Sequence, residues 1–222
     1  MNKIDLWEEF CLRFNIFNCA VPLFETEGSK VTVFDYGLNN RKVLKRSEHM
    51  KDTIIDEVEK LINDYNDGTN QYEGLIYMMF WKVDQNVIPL YIGKAEKYGK
   101  KGQNFSSNLN IQNENFFARW GYNYAYHLGD LSAVVCLGHP TDKANNKYEK
   151  WAKALFCSHP TEQPQLKQQV FFWTTCWRKG EVGVWKEFGS TSLTFLEYLL
   201  IGLASDVFPN TLLNAEGVNR KQ

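Results

Sequence analysis

Apolar residues recur along the chain in two rhythms. Helical spacing governs Leu6, Trp7, Phe10 and Phe14, and then Ile54, Ile55, Val58, Leu61 and Ile62 within Lys51–Tyr65. It returns in Leu193–Leu203 (LTFLEYLLIGL), part of a helix expected from about Ser192 to Val207, with Pro209 as its breaker. Two further helices are expected over about Asn113–His127 and Lys143–Phe156. Strand-like runs are Val31–Tyr36 (VTVFDY), Gly74–Trp81 (GLIYMMFW), Val87–Gly93 (VIPLYIG), the short Val134–Leu137 and Val170–Trp177 (VFFWTTCW). Glu181–Phe188 would return from the last of these through Arg178-Lys179-Gly180. The polar, turn-rich segment Asn66–Gln71 marks a boundary. The pattern therefore predicts an α/β protein with an N-terminal appendage, residues 1–70, ahead of a main domain, residues 71–222.

The runs GLIYMMFW and VIPLYIG are close enough to form a hairpin. A three-residue loop at 83–85 would set Tyr77 directly opposite Tyr91. A slip of two residues keeps both rings on one face, whereas a slip of one, or a bulge alone, separates them.

Composition narrows the class. The chain is 44% apolar and 15% aromatic, enough for a real core, so global disorder is excluded. It has no run of about 18 apolar residues and no signal-peptide pattern at its start, so a cytoplasmic protein without a membrane segment is expected. Cys11, Cys19, Cys136, Cys157 and Cys176 are scattered, which suits a reduced compartment. The formal net charge of −1 argues against coating nucleic acid nonspecifically and leaves room for a local basic patch. Two such patches exist. One is Lys94, Lys97, Lys100 and Lys101, directly after the glycine that ends a strand. The other is Lys143, Lys147, Lys150 and Lys153 with Trp151 among them, which reads first as a solvated helix face.

Glu197 is the only charged residue in Leu193–Leu203, flanked at helical spacing by Leu193, Thr194, Leu200 and Ile201. A carboxylate there needs a partner or a cation. The plain alternative is a capping box, Thr194-x-x-Glu197, although Ser190, Thr191 and Ser192 offer caps a turn earlier. Arg119, between Phe116-Phe117 and Trp120, either lays its stem on rings or aims its fork at a phosphate. His127, eight residues on, is more often structural than catalytic in such a setting, but on one helix the two could flank a cleft. Tyr77 and Tyr91 alone mean little, because about one free phenol in a thousand is ionised at neutral pH; a nearby cation would change that. Cys136-x-x-His139 and Cys157-x-His159 supply four soft ligands, a weak zinc candidate because C-x-H is tighter than structural zinc prefers.

In chain order, G-L-I-Y (74–77), L-Y-I-G (90–93), Arg119 with His127, F-L-E-Y-L-L-I (195–201) and P-N-T-L-L-N-A-E-G (209–217) resemble the GIY-YIG nuclease family. The resemblance spans roughly Gln71–Gly217. It departs from the family pattern in Leu75, inserted into the first motif, and in a longer stretch at about 129–169. It implies a three-stranded antiparallel sheet flanked by helices, with that stretch as a central insertion carrying target or dimer contacts. It implies a Mg²⁺-dependent (or Mn²⁺-dependent) endonuclease acting on double-stranded DNA, restriction-type members being most similar, with a homodimer on DNA for cutting both strands. Carried over, Tyr77 and Tyr91 match the motif tyrosines, one of them a base for water, and Gly93 allows a tight turn. Arg119 would hold the scissile phosphate, Glu197 the metal, and Asn214 would help position the site. His127 falls near the family's His/Tyr position, which strictly lies at Asn123 beside Tyr124. Lys94 follows Y-I-G as a polar residue does in some members, and Lys94, Lys97, Lys100 and Lys101 would receive the DNA backbone. A catalytically silent nucleic-acid-binding module on the same fold is the competing expectation.

Overall fold

The computed structural model describes residues 2–99, 102 and 104–219. In chain order the elements are α1 (Lys3–Arg13), α2 (Ile16–Cys19), β1 (Val21–Pro22), β2 (Thr26–Glu27), β3 (Lys30–Val31), β4 (Val33–Tyr36) and β5 (Arg41–Leu44). There follow α3 (Glu48–Asn66), β6 (Tyr72–Val83), β7 (Asn86–Glu96), α4 (His127–Val135), α5 (Asn146–Leu155), β8 (Phe171–Arg178) and α6 (Leu193–Val207). The fold is a mixed α/β one. No helix among the described residues is long and apolar enough to cross a membrane.

The chain divides into two compact units. The first is Met1–Val21, Ile55–Ser106 and Phe171–Gln222; the second is Pro22–Ile54 and Ser107–Val170. This differs from the expected division at residue 70, and burial explains why. Helix α1 starts at a capping box, Asn2 with Asp5, and turns Leu6, Trp7 and Phe10 inward. Those residues join one core with Ile76, Met78 and Phe80 of β6, Ile92 of β7, Trp173 and Trp177 of β8, and Leu196, Leu200 and Leu203 of α6. The Trp7 indole N–H donates to the Val87 carbonyl at 3.0 Å. The first residues of the chain are thus part of the sheet-bearing unit rather than an appendage.

That unit is built on a four-stranded sheet, order β1-β8-β6-β7. Its three long strands are antiparallel, and β1 adds a two-residue margin. Strands β6 and β7 meet at the two-residue turn Asp84-Gln85, both left-handed (φ 47° and 68°). The expected return strand at Glu181–Phe188 is absent. Val182 makes a single bridge to Ser190 and a 3-10 turn covers Lys186–Phe188.

In the second unit, residues 22–54 pair with 107–170. The Leu23 N–H meets the Val170 carbonyl, the Val31 N–H meets that of Pro164, and the Leu44 N–H meets Ser132 Oγ. The stretch 129–169 is therefore half of a folded unit. The VTVFDY run is split: β3 pairs with β2, and β4 returns through Gly37–Asn40 to β5. The helix expected over Asn113–His127 does not form. The chain folds back so tightly that a Cβ on Gly121 would stand 2.0 Å from the Asn115 carbonyl oxygen. Ala118, Arg119 and Ala125 take left-handed backbone angles there, which no sequence signal announced. Helix α4 begins only at His127, and it takes in Val134, read above as a strand.

One buried ion pair ties the first unit together. Lys97 is fully buried, and its ammonium lies 2.6 Å from the Asp64 carboxylate near the end of α3. Asp64 also accepts the Thr69 hydroxyl and the N–H groups of Gln71 (2.7 Å) and Tyr72 (3.0 Å), so it fixes the entry into β6. Burial opposes its ionisation, but Lys97, Thr69 and the two amides outweigh that and hold the acid well below the usual carboxylate range. Lys97→Met leaves Asp64 charged and unpaired inside, and is expected to lose about 3–5 kcal/mol in urea unfolding. The double variant Lys97→Met/Asp64→Asn should recover part of that loss.

Candidate active site

Tyr77 and Tyr91 are not opposite one another. Tyr77 pairs with Gly93, and Tyr91 pairs with Met79, with a bulge between Met79 and Phe80. The turn is one residue shorter than the expected loop and the bulge adds one, so the register moves by two. Such a move preserves the face. The two rings accordingly lie side by side, centroids 6.4 Å apart, with Phe172 of β8 stacked on Tyr77 at 6.1 Å. They occupy the face opposite Ile76, Met78 and Phe80.

Gly93 has a different role from the expected turn. It sits inside β7, and the Tyr77 ring lies across it. A Cβ there would stand 2.6 Å from the Tyr77 hydroxyl oxygen and 2.7 Å from two ring carbons. Only glycine leaves room for the ring to cross from β6 onto β7.

Strand β7 is the sheet edge, and the C-terminal segment covers its outer side. Asn214 is buried and clasps Ile92 from both directions: its Oδ1 accepts the Ile92 N–H at 3.0 Å and its Nδ2 donates to the Ile92 carbonyl at 2.8 Å. The Leu213 N–H donates to Leu90 and the Thr211 hydroxyl to Pro89. Two residues further along the edge, the Lys94 amide acts on the Glu197 carboxylate and favours its ionised form. The Tyr77 hydroxyl stands 2.6 Å from the position a Gly93 Cβ would take, and the amide that acts on Glu197 belongs to the next residue.

Glu197 is not a cap. Ser192 is the N-cap of α6, its Oγ accepting the Phe195 N–H, and the Glu73 carboxylate takes the Leu193 N–H at 2.7 Å. The Glu197 carboxylate is half-buried. Burial raises its pKa first; the charge and amide of Lys94 lower it, and the neighbouring Glu96 and Glu216 raise it again. Lys94 itself is paired with Glu96, which also accepts the Thr194 hydroxyl. Glu96 and Glu216 went unnoticed in the sequence because acids in a strand end and a C-terminal loop carry no periodic signal.

The structure thus gathers Tyr77, Tyr91, Gly93, Lys94, Glu197 and Asn214 around one strand edge. It does not give the expected basic track: Lys97 is inside, ion-paired with Asp64, and Lys94 is held by Glu96. Lys100 and Lys101 lie outside the described residues.

Arg119 and His127 belong to the second unit. The Arg119 guanidinium stands 5.2 Å over the Tyr126 ring. His127 is buried, stacked on Trp151 (5.3 Å, 22°) and 4.7 Å from Trp120, and its Nδ1 meets the Tyr148 hydroxyl at 2.9 Å. Burial, then the charges of Lys147 and Arg119, push its pKa well down, so it is a neutral packing residue and not an exposed acid or base. Arg46, 4.1 Å from both Phe117 and Tyr122, is sandwiched between rings, and Arg41 lies over Tyr36 and Tyr124; sequence reasoning missed both. No group of three or more His, Cys, Asp or Glu among the described residues is disposed to hold a metal ion. The zinc candidate is dispersed: His139 meets Tyr124 and the Lys42 carbonyl, His159 meets Glu149, and all five cysteines are free.

Comparison with protein-family models, with curated proteins and with solved structures finds no match.

Two outcomes follow from this geometry. Gly93→Ala drives a methyl group into the Tyr77 ring and is expected to lower stability by about 1–3 kcal/mol, read by urea unfolding. The raised pKa of Glu197 means that its ionisation opposes folding at neutral pH. This cost vanishes where both folded and unfolded chains hold the proton. In chelator, Glu197→Gln is therefore expected to melt above the native protein at about pH 7.5, the difference closing toward about pH 4.

Proposed function

We propose that the chain is a metal-dependent endonuclease of the GIY-YIG type that hydrolyses phosphodiester bonds in double-stranded DNA, serving restriction or phage defence in the cytoplasm. The observation that carries this reading is the Tyr77 ring laid across Gly93 beside Tyr91, one residue from the amide that acts on Glu197. The order of the motif residues along the chain supports the same reading.

The donor set fits a hard divalent ion. Mg²⁺ is commonly bound through one or two carboxylates, with waters and substrate phosphates filling the rest of its shell. Glu197 would hold Mg²⁺ or Mn²⁺. When bound, such an ion acidifies a water and neutralises charge on the phosphate. Tyr91, the more exposed of the two phenols, would accept the proton of the attacking water, while Tyr77 is fixed by Phe172 and Gly93 as its support. Asn214 holds the backbone of Ile92 and so fixes the tyrosine-bearing strand. One such centre cuts one strand, so a double-strand break takes a homodimer on DNA or two visits.

A catalytically silent binding module is favoured by one observation: Asn214 and Glu197 both serve backbone groups of the β7 edge, a structural use. Plasmid cleavage separates the two. Supercoiled plasmid is expected to be nicked in Mg²⁺ and left intact in chelator, with Glu197→Gln and Tyr91→Phe each slower by about 100-fold or more. Cleavage at the native rate by Glu197→Gln would refute the role assigned to it, and binding without cleavage by the native protein would favour the silent module.

A further inference from the structure

In the second unit, three cations from separate segments each stand on an aromatic ring. Arg119 lies 5.2 Å over Tyr126, Lys143 lies 5.4 Å over Tyr124, and Lys147 lies 5.2 Å over Tyr148 and 5.3 Å over Trp151. The layer beneath is rigid. Trp151 stacks on His127, which packs against Trp120, and Tyr148 and Trp151 contact edge to face. Long stems laid on such a layer hold their charged heads toward water.

Arg119, Lys143 and Lys147 all act on one carboxylate, Asp130, which is only 8% exposed and accepts the Ala125 N–H at 2.8 Å. His127 beneath them is neutral. The exposed Asp142 pairs with Lys143 at 3.4 Å, a weak surface contact, and Glu149 of α5 pairs with Lys153 and His159. With Lys153 set against Glu149, Asp130 and Asp142 face Arg119, Lys143 and Lys147, in a chain whose formal net charge is −1.

We propose that this face binds the phosphodiester backbone of DNA, with Lys143 and Lys147 each meeting a phosphate beside Arg119. The choice of DNA rests on the nuclease reading; the polyanion follows from the charge. The rings already lie under the cations, so they are not offered to bases. The face therefore holds duplex DNA in place without reading its sequence.

The test is fluorescence anisotropy on a labelled random-sequence duplex of about 30 base pairs, with chelator present and salt varied. Lys143→Gln/Lys147→Gln is expected to bind about 10-fold more weakly at low salt, with the slope of log affinity against log salt shallower by about 2. Lys30→Gln, another exposed lysine of the same unit, should change neither. If the double variant melts early, Lys143→Gln alone is used, and its slope should fall by about 1. Native affinity and slope in the variants, an equal effect from Lys30→Gln, or no duplex binding by the native protein would overturn the face. Equal binding with cleavage still dependent on Glu197 overturns the face and leaves the nuclease reading standing. Loss of binding in the lysine variants, in a native protein that cuts nothing, does the reverse.

Discussion

Strand β7 ends the sheet, and its outward amides and carbonyls must be paired, wetted or hidden. In this chain they are paired by side chains that arrive from the far end of the sequence. Asn214 acts as a short piece of strand, offering one acceptor and one donor to Ile92, with Thr211 and Leu213 extending the same cover. Further along the edge the Lys94 amide acts on Glu197. The need to satisfy one strand edge therefore brings a carboxylate and a carboxamide beside the two phenols.

The lysines after that edge show how composition misleads. Lys94 and Lys97 read as a solvated basic loop. Yet Lys97 is the buried partner of Asp64, and Lys94 is paired with Glu96. Removing Lys97 from water is tolerable because Asp64 meets it at 2.6 Å while two amides and a hydroxyl fill the remaining acceptor positions. Among the described residues, the exposed lysines of the two patches lie on α5 and its neighbours, which the sequence presented as the blander of the two.

Periodicity made the long sheet strands, α1, α3 and α6 legible, because each buries one regular face. It also placed Tyr77 and Tyr91 on a common face, despite a turn of different length and an unforeseen bulge, since the two shifts together amount to a full period. It failed around Gly121, where the chain folds back and non-glycine residues beside it leave regular geometry. Ala118, Arg119 and Ala125 are left-handed, and no propensity scale expects that of alanine. The division into units was equally hidden, because residues 22–54 find their partners in 107–170 through backbone hydrogen bonds that leave no mark in local pattern. Gly93 was legible as significant but not for its reason: the constraint is the Tyr77 ring, two strands' worth of pairing away in sequence.

Two carboxylates of the first unit, buried Asp64 and half-buried Glu197, make the final contrast. Asp64 receives an ammonium, a hydroxyl and two amides, which matches the acceptor capacity of a carboxylate. It is saturated, strongly acidic and chemically finished. Glu197 is half-buried, is favoured in its ionised form by one amide and the charge of Lys94, and has Glu96 and Glu216 adding repulsion. Its ionised form is under-satisfied, so a bound cation or a proton would relieve it. A structural acid of the Asp64 kind gains nothing from either. That difference in residual acceptor capacity, and not burial as such, separates the two acids.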